Sequence, residues 1–195
     1  MTQAADAAEE RAAGGVTPGR GGLPPSDRLG LPPLDRLRRS LSSMPNLFEP
    51  DWDAERDEPP FRWRRARIGR QAGAKDLGAS LFELPPGAAT FPLHAHFANE
   101  EMILVLEGRP SLTCADGEMR GLEPGDVVAC PAGREGAHRL DNHSEEPARV
   151  LIVSTMRAPE INEMLEDGTF WVRDYAPGLT PADPSLDVPG LRPPE

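Results

Sequence analysis

The sequence predicts an all-β domain, a barrel or a sandwich of short strands, between two ends that cannot form a core. From about residue 61 to residue 155, short β-forming runs alternate with turn signals, as in barrels and sandwiches. Pro86-Gly87 and Pro124-Gly125 suit the centres of type II turns, where glycine takes the positive φ, and Asp116-Gly117 suits a tight hairpin. Of 23 prolines, nine lie before residue 61 and six after residue 176, so both ends are too broken to pack.

Residues 1–45 are predicted to be a disordered, Pro/Gly-rich extension. Within it, Leu34, Leu37 and Leu41 recur at the spacing of one helix face, which predicts a short helix over residues 34–43. This helix would dock on the domain or, as the alternative, bind a partner.

The rest of the chain divides into three parts. We expect residues 46–70 to form an arm that packs on the barrel, residues 71–158 to form the barrel, and residues 159–195 to be a C-terminal segment with an irregular Pro-rich tail. Strands are expected at about residues 61–68, 79–84, 90–96, 101–107, 110–114, 118–122, 126–130, 137–142 and 148–155.

Two of the predicted strands are apolar without alternation, MILVL at residues 102–106 and VLIV at residues 150–153. This pattern is typical of strands that are covered on both faces. The arm, the C-terminal segment or a second subunit could provide the cover, and we expect a homodimer.

The run RWRRARIGR, residues 62–70, is locally basic in an acidic chain. Charge that protects an exposed edge strand would explain it. Anion binding is the alternative.

The net charge of −11 (21 basic and 32 acidic residues) disfavours phosphate backbones and anionic lipids as partners. The longest apolar run is far shorter than the roughly 20 residues of a membrane-spanning helix. The acidic N-terminus does not resemble a secretory signal, so we expect a cytoplasmic protein without nucleic-acid or membrane partners. In that reducing compartment, Cys114 and Cys130 are expected to be buried thiols without chemistry.

Histidine and glutamate residues form a candidate metal site. His94 and His96 are two apart on a predicted strand and therefore project from one face. The chain must then bend so that the next strand can return a carboxylate, and strand parity alone does not choose between Glu100 and Glu101. With His138 from a later strand, three imidazoles and a carboxylate would suit a divalent transition metal with open coordination positions.

The spacing of these residues resembles the two sequence motifs of the cupin superfamily. The resemblance covers about residues 70 to 156. Within the superfamily, this stretch is similar to small single-domain bacterial cupins. Counting back from the last glycine of the first motif selects Glu101 over Glu100. The positions that match the two motifs are Gly87, His94, His96, Glu101 and Gly108, and then Gly125, Pro131, Gly133, His138 and Asn142.

Two spacings depart from the motifs. Gly87 and His94 are separated by six residues instead of five, and Gly133 and His138 by four instead of two. The second departure lengthens a loop beside the proposed site and leaves open which contacts Arg134 and Glu135 make.

The resemblance implies a double-stranded β-helix, that is, a jelly-roll barrel. It also implies that His94, His96, Glu101 and His138 bind one divalent transition metal ion, which could be Fe, Mn, Ni or Zn. His143, one residue beyond the second motif, is expected to be solvated.

The sequence therefore predicts a metal-dependent enzyme that acts on a small organic molecule. Dioxygenase-like chemistry is slightly favoured over isomerase or lyase chemistry, and no residue outside the metal centre is assigned a catalytic role. The alternative is a non-catalytic regulatory cupin that binds a sugar or another small molecule. The fold and the ligands alone do not determine the reaction.

Overall fold

The structure, a computed structural model, describes residues 44–173 and 187–191. The predicted helix over residues 34–43 lies outside the described residues, as does nearly all of the predicted extension 1–45. None of the described helices is long and apolar enough to cross a membrane.

The described residues form strands almost throughout, with one short helix and one 3₁₀ turn. In chain order these elements are β1 (Ala54–Glu58), β2 (Phe61–Ala66), α1 (Ile68–Gln71), β3 (Gly78–Leu84), β4 (Ala88–Ala89), β5 (His94–His96), β6 (Glu101–Glu107), β7 (Ser111–Cys114), β8 (Met119–Gly121), β9 (Val127–Cys130), the 3₁₀ turn (Arg134–Gly136), β10 (His138–Asn142), β11 (Ala148–Ser154), β12 (Glu160–Met164), β13 (Thr169–Arg173) and β14 (Asp187–Leu191).

The strands form a jelly-roll barrel with two facing layers, as predicted. One layer has the order β2-β3-β11-β6-β9, and in the other β10 pairs with β4, β5 and β7. The cross-strand partners Phe82, Val150 and Val105 point inward from the first layer. They pack against Leu112 and Leu140 from the second layer, and this packing forms the core.

The sequence located the barrel strands well. The prediction for residues 101–107 matches β6 at both ends, whereas in the predicted strand 90–96 only His94–His96 is a strand. The predicted turn glycines Gly87 and Gly125 adopt positive φ values of 70° and 96°.

The C-terminal segment differs from expectation, because no strand was predicted after residue 155 and the Pro-rich tail was expected to be irregular. Its described part forms β12, β13 and β14, and β12 pairs with β5 of the barrel. The buried side chains of β12 are polar, among them Glu160, Asn162 and Glu163. Their burial depends on hydrogen bonds with distant residues, so the apolar alternation that marks a strand is missing here.

The arm joins the sheet by strand pairing. In it β1 pairs with β2, and β2 also pairs with β3 and β4. The basic strand β2 is therefore not an edge strand, and edge protection does not explain its charge.

The outer face of the first layer is an apolar patch, which we define by Met102, Leu104, Leu151, Val153 and Val127. The first four residues form cross-strand pairs on the face opposite to the core. Met102 is 39% exposed and Val127 is 57% exposed. Within the described residues, the chain itself leaves this face partly uncovered.

Candidate metal centre

Strand pairing brings three imidazoles together. His94 and His96 project from one face of β5, and β10 pairs with β5 so that His138 lies directly opposite His94. The ring centroid of His94 is 5.0 Å from that of His96 and 4.7 Å from that of His138. One nitrogen from each ring lies within 4.8 Å of the other two, a spacing at which the three could hold one metal ion.

Backbone carbonyls fix two of the three rings. Nδ1 of His94 lies 2.9 Å from the carbonyl oxygen of Pro92, and Nδ1 of His138 lies 2.9 Å from that of Gly136. Each Nδ1 must carry the proton to donate to a carbonyl, so Nε2 is the atom of both rings that is directed toward a ligand.

The third ring, His96, contacts a side-chain amide instead. Nδ1 of His96 lies 2.7 Å from Nδ2 of Asn162, and Arg173 donates to the amide oxygen of Asn162. The amide nitrogen of Asn162 therefore faces the ring. Metal binding through Nε2 of His96 would need this amide turned, so that its oxygen accepts the Nδ1 proton.

Glu101 lies at the same centre, whereas Glu100 does not. Oε2 of Glu101 is 3.2 Å from Nε2 of His138 and 3.6 Å from Nε2 of His96. Glu100 is exposed, and its backbone N–H donates to Thr155. Of the two glutamates, only Glu101 faces the imidazoles.

The buried groups hold opposite charges beside each other. Burial, followed by the nearby His138 and His96, lowers the pKa of His94 to about 3, so this ring is neutral at pH 7. Burial raises the pKa of Glu101, but His96 and His138 outweigh it and bring the pKa down to about 2. Burial also lowers the pKa of His138, yet Cys130 and Glu101 outweigh it and raise the pKa to about 10. An incoming cation would meet an ionised carboxylate and displace the proton of His138.

A buried polar network shapes the turn between β5 and β6. Asn99 is fully buried; its Nδ2 donates to the carbonyl oxygen of Arg157 at 2.9 Å, and its Oδ1 accepts the backbone N–H of Arg157 at 2.6 Å. Asn99 also donates to Glu160, whose carboxylate accepts the backbone N–H of Phe97. This network provides the predicted bend and sets Glu101 beside His96.

The lengthened loop of the second motif is tied to β12. Arg134 forms a bidentate ion pair with Glu163, with Nε–Oε2 and Nη2–Oε1 distances of 2.9 and 2.8 Å. The backbone N–H of Gly133 donates to the carbonyl oxygen of His96. The extra residues therefore hold the loop against β5 and β12.

Sequence reasoning missed several residues of the centre. Cys130, which was expected to be a thiol without chemistry, lies opposite Glu101 on β9 and interacts with His138. Asn162 and Glu160 lie in a segment that carries no motif. Only the pairing of β12 with β5 brings them to the histidines. His143 is exposed and lies outside the centre, as predicted.

The centre opens into a cavity of about 170 Å³ inside the barrel. All four candidate ligands line it, together with Phe82, Phe91 and Arg65. Three imidazoles and a carboxylate are a donor set that fits a divalent transition metal, and the cavity leaves room for a small molecule beside it.

Residues 80–154 match the family model of the cupin domain. These residues form a cupin domain. A sugar phosphate isomerase of the cupin superfamily from Silicibacter pomeroyi superposes with a TM-score of 0.63 at 24% identity, over 76% of this chain and 92% of that chain. At this identity the likeness shows the cupin fold.

Two curated relatives match parts of this cupin. Quercetin 2,3-dioxygenase of Bacillus subtilis is 45% identical over 53 residues, which are 27% of this chain and 15% of the relative. An uncharacterised protein of Methanocaldococcus jannaschii is 33% identical over 82 residues, 41% of this chain and 62% of the relative. The chain thus spans less than two thirds of the length of either relative.

We expect Asn99→Ala to destabilise the cupin by roughly 2–3 kcal/mol, because it leaves buried partners in the turn without hydrogen bonds. Urea denaturation monitored by tryptophan fluorescence measures this loss. Asn46→Ala, at an exposed asparagine, is the matched control and should change the free energy of unfolding by less than about 0.5 kcal/mol. Equal stability of the two variants would contradict the role assigned to the turn network.

Proposed function

We propose that this cupin is a metal-dependent enzyme that acts on a small organic molecule. One divalent transition metal ion, Fe, Mn, Ni or Zn, is held by His94, His96 and His138, with Glu101 as the fourth ligand. The observation that carries the proposal is the buried set of three imidazoles, with ligating nitrogens within 4.8 Å of one another, at the end of a cavity.

The chemistry at this centre depends on the ion, which when bound supplies either Lewis acidity or oxygen activation. The residues of the chain provide the surroundings. Phe82 and Phe91 give the cavity an aromatic lining, and Trp63 packs against both rings.

Dioxygenase-like chemistry is favoured over isomerase or lyase chemistry within this proposal. The support is the 45% identity to part of quercetin 2,3-dioxygenase. Oxygen uptake over a panel of small organic substrates, with the Fe(II)-loaded protein, separates oxidative chemistry from the other two.

His96→Ala should lose the ion, because it removes one of the three imidazoles that the proposed site is built on. Elemental analysis of protein purified without chelator should find about one ion per chain in the wild type and almost none in the variant. His143→Ala is the matched control, since this exposed histidine lies outside the centre.

The proposal is wrong if the wild-type protein carries no metal and gains none from added Fe(II), Mn(II), Ni(II) or Zn(II). It is also wrong if His143→Ala loses the ion as completely as His96→Ala.

We further propose that the cupin is a homodimer that buries the outer apolar patch. Met102, Leu104 and Val127 expose an apolar surface on adjacent strands, and such a surface in water favours association. A two-fold axis at this patch would place the same residues of both copies against each other.

Met102→Lys should convert the dimer to a monomer, because it places a charge in the centre of the apolar interface. Light scattering coupled to size-exclusion chromatography measures the mass. Met119→Lys, at a methionine that is 56% exposed on β8 and away from the patch, should leave the dimer intact. A wild-type monomer at micromolar concentration would exclude this dimer.

A further inference from the structure

The basic run of β2 divides between the two faces of the strand. Arg64 lies on the outer face, where its guanidinium pairs with Glu83 at 2.7 Å and stacks on Trp52 at 4.3 Å. Arg67, beyond the end of the strand, pairs with Asp53 at 2.9 Å. Arg65 points the opposite way from Arg64, into the cavity of the metal centre.

The guanidinium of Arg65 has aromatic neighbours, and the nearby carboxylate of Asp53 is paired with Arg67 instead. Its Cζ lies 5.5 Å from the ring centroid of Trp63 and 5.9 Å from that of Phe82. Its Nε is buried without a hydrogen-bond partner, and no carboxylate among the described residues pairs with it. Burial, followed by the charge of Arg67, lowers the pKa of Arg65, but an arginine remains protonated at pH 7. Asp53 raises the pKa of Arg65 in part, but among the described residues Arg65 forms no ion pair of its own to offset its desolvation.

A second unsatisfied group faces the same cavity. The Oγ atom of Ser154 is buried and has no hydrogen-bond partner. Ser154 lies directly opposite Glu101 in the pairing of β11 with β6, so this hydroxyl stands on the wall beside the metal centre. The cavity thus contains two donor groups, from Arg65 and Ser154, that the described protein does not satisfy.

Aromatic side chains form a continuous wall between Arg65 and the histidines. Phe91 lies 5.6 Å from Trp63, on which Arg65 stacks, and 5.9 Å from His94. Arg70 and Lys75 stand at the same cavity. Its wall is therefore basic in a chain with a net charge of −11, and it attracts anions that the rest of the surface repels.

We propose that Arg65 binds an anionic group of the substrate, a carboxylate or a phosphate, and that the Ser154 hydroxyl donates a second hydrogen bond to the bound molecule. A guanidinium beside aromatic rings, with its Nε unpaired, can present N–H groups to such an anion. The substrate class is then a small organic acid or phosphate ester whose other end reaches the imidazoles. The position of that other end rests on the proposed function, whereas anion binding at Arg65 does not need the ion.

The test is a titration of the chelator-treated, full-length protein with sodium phosphate, sodium acetate and the neutral acetamide. The indole N–H of Trp63, which donates to the carbonyl oxygen of Thr90, reports binding in ¹H–¹⁵N spectra. We expect a saturable shift with phosphate or acetate and none with acetamide. The anion that binds more tightly identifies the group that the cavity takes.

Arg65→Met should weaken anion binding by roughly tenfold or more, since it removes the charged donor, and Arg65→Lys should retain part of it. Arg64→Met is the matched control, because this neighbouring arginine lies on the outer face. The anion affinity of Arg64→Met should lie within about twofold of the wild-type affinity. In chloride buffer, Arg65→Met should melt at the same temperature as the wild type or higher, which shows that the variant is folded and that Arg65 is not kept for stability.

Three results would overturn the proposal. The first is the absence of a saturable shift with either anion. The second is an Arg65→Met variant that binds the anion as tightly as the wild type, and the third is an Arg64→Met variant that loses as much anion affinity as Arg65→Met. Since the chelator-treated protein carries no ion, failure of the metal proposal would leave this result unaffected. Failure of anion binding at Arg65 would likewise leave the measurement of bound metal unaffected.

Discussion

The pairing of β5 on both of its edges is the constraint on which the metal centre depends. This strand is only three residues long, but β10 pairs with one edge and β12 with the other. A strand held on both sides cannot rotate about its axis, so His94 and His96 must both project into the barrel. His138 meets them because the register of β10 places it opposite His94. Backbone pairing thus holds the three imidazoles close together in a buried site.

The strand β12 supports the centre at three separate points. Glu160 accepts backbone N–H groups in the turn before Glu101, and Asn162 contacts the ring of His96. Glu163 anchors the loop before His138 through Arg134. All three side chains are buried and polar, and their positions depend on satisfied hydrogen bonds. The C-terminal hairpin is therefore a part of the metal centre and not an appendage of the barrel.

The cavity carries a negative charge and a positive charge at two different places on the barrel wall. Glu101 provides a negative charge among the imidazoles, and Arg65 provides a positive charge on the wall formed by β2. An aromatic surface of Trp63, Phe82 and Phe91 lies between the two regions. A cation and an anionic group of a small molecule could thus occupy neighbouring positions without competing for the same side chains.

The sequence by itself determined the class of fold and the candidate ligands. Turn glycines and short β-forming runs are local signals, which is why the barrel strands fell close to their predicted positions and β6 matched at both ends. The histidines could be paired from strand alternation, and the choice of Glu101 over Glu100 followed from the motif spacing. The structure brings all four side chains to one cavity.

Only the tertiary structure decided which distant groups surround these residues. Strand register brings Asn162 and Cys130 to the histidines and Arg65 to the cavity. No spacing along the chain encodes the pairing of β12 with β5. The basic run around Arg65 shows the reason most clearly. Its charges suggested an edge strand, yet β2 has neighbours on both sides, and alternation sends one arginine outward and the next inward. Local sequence specifies which residues a strand carries, whereas the packing of the whole barrel determines what each face of that strand meets.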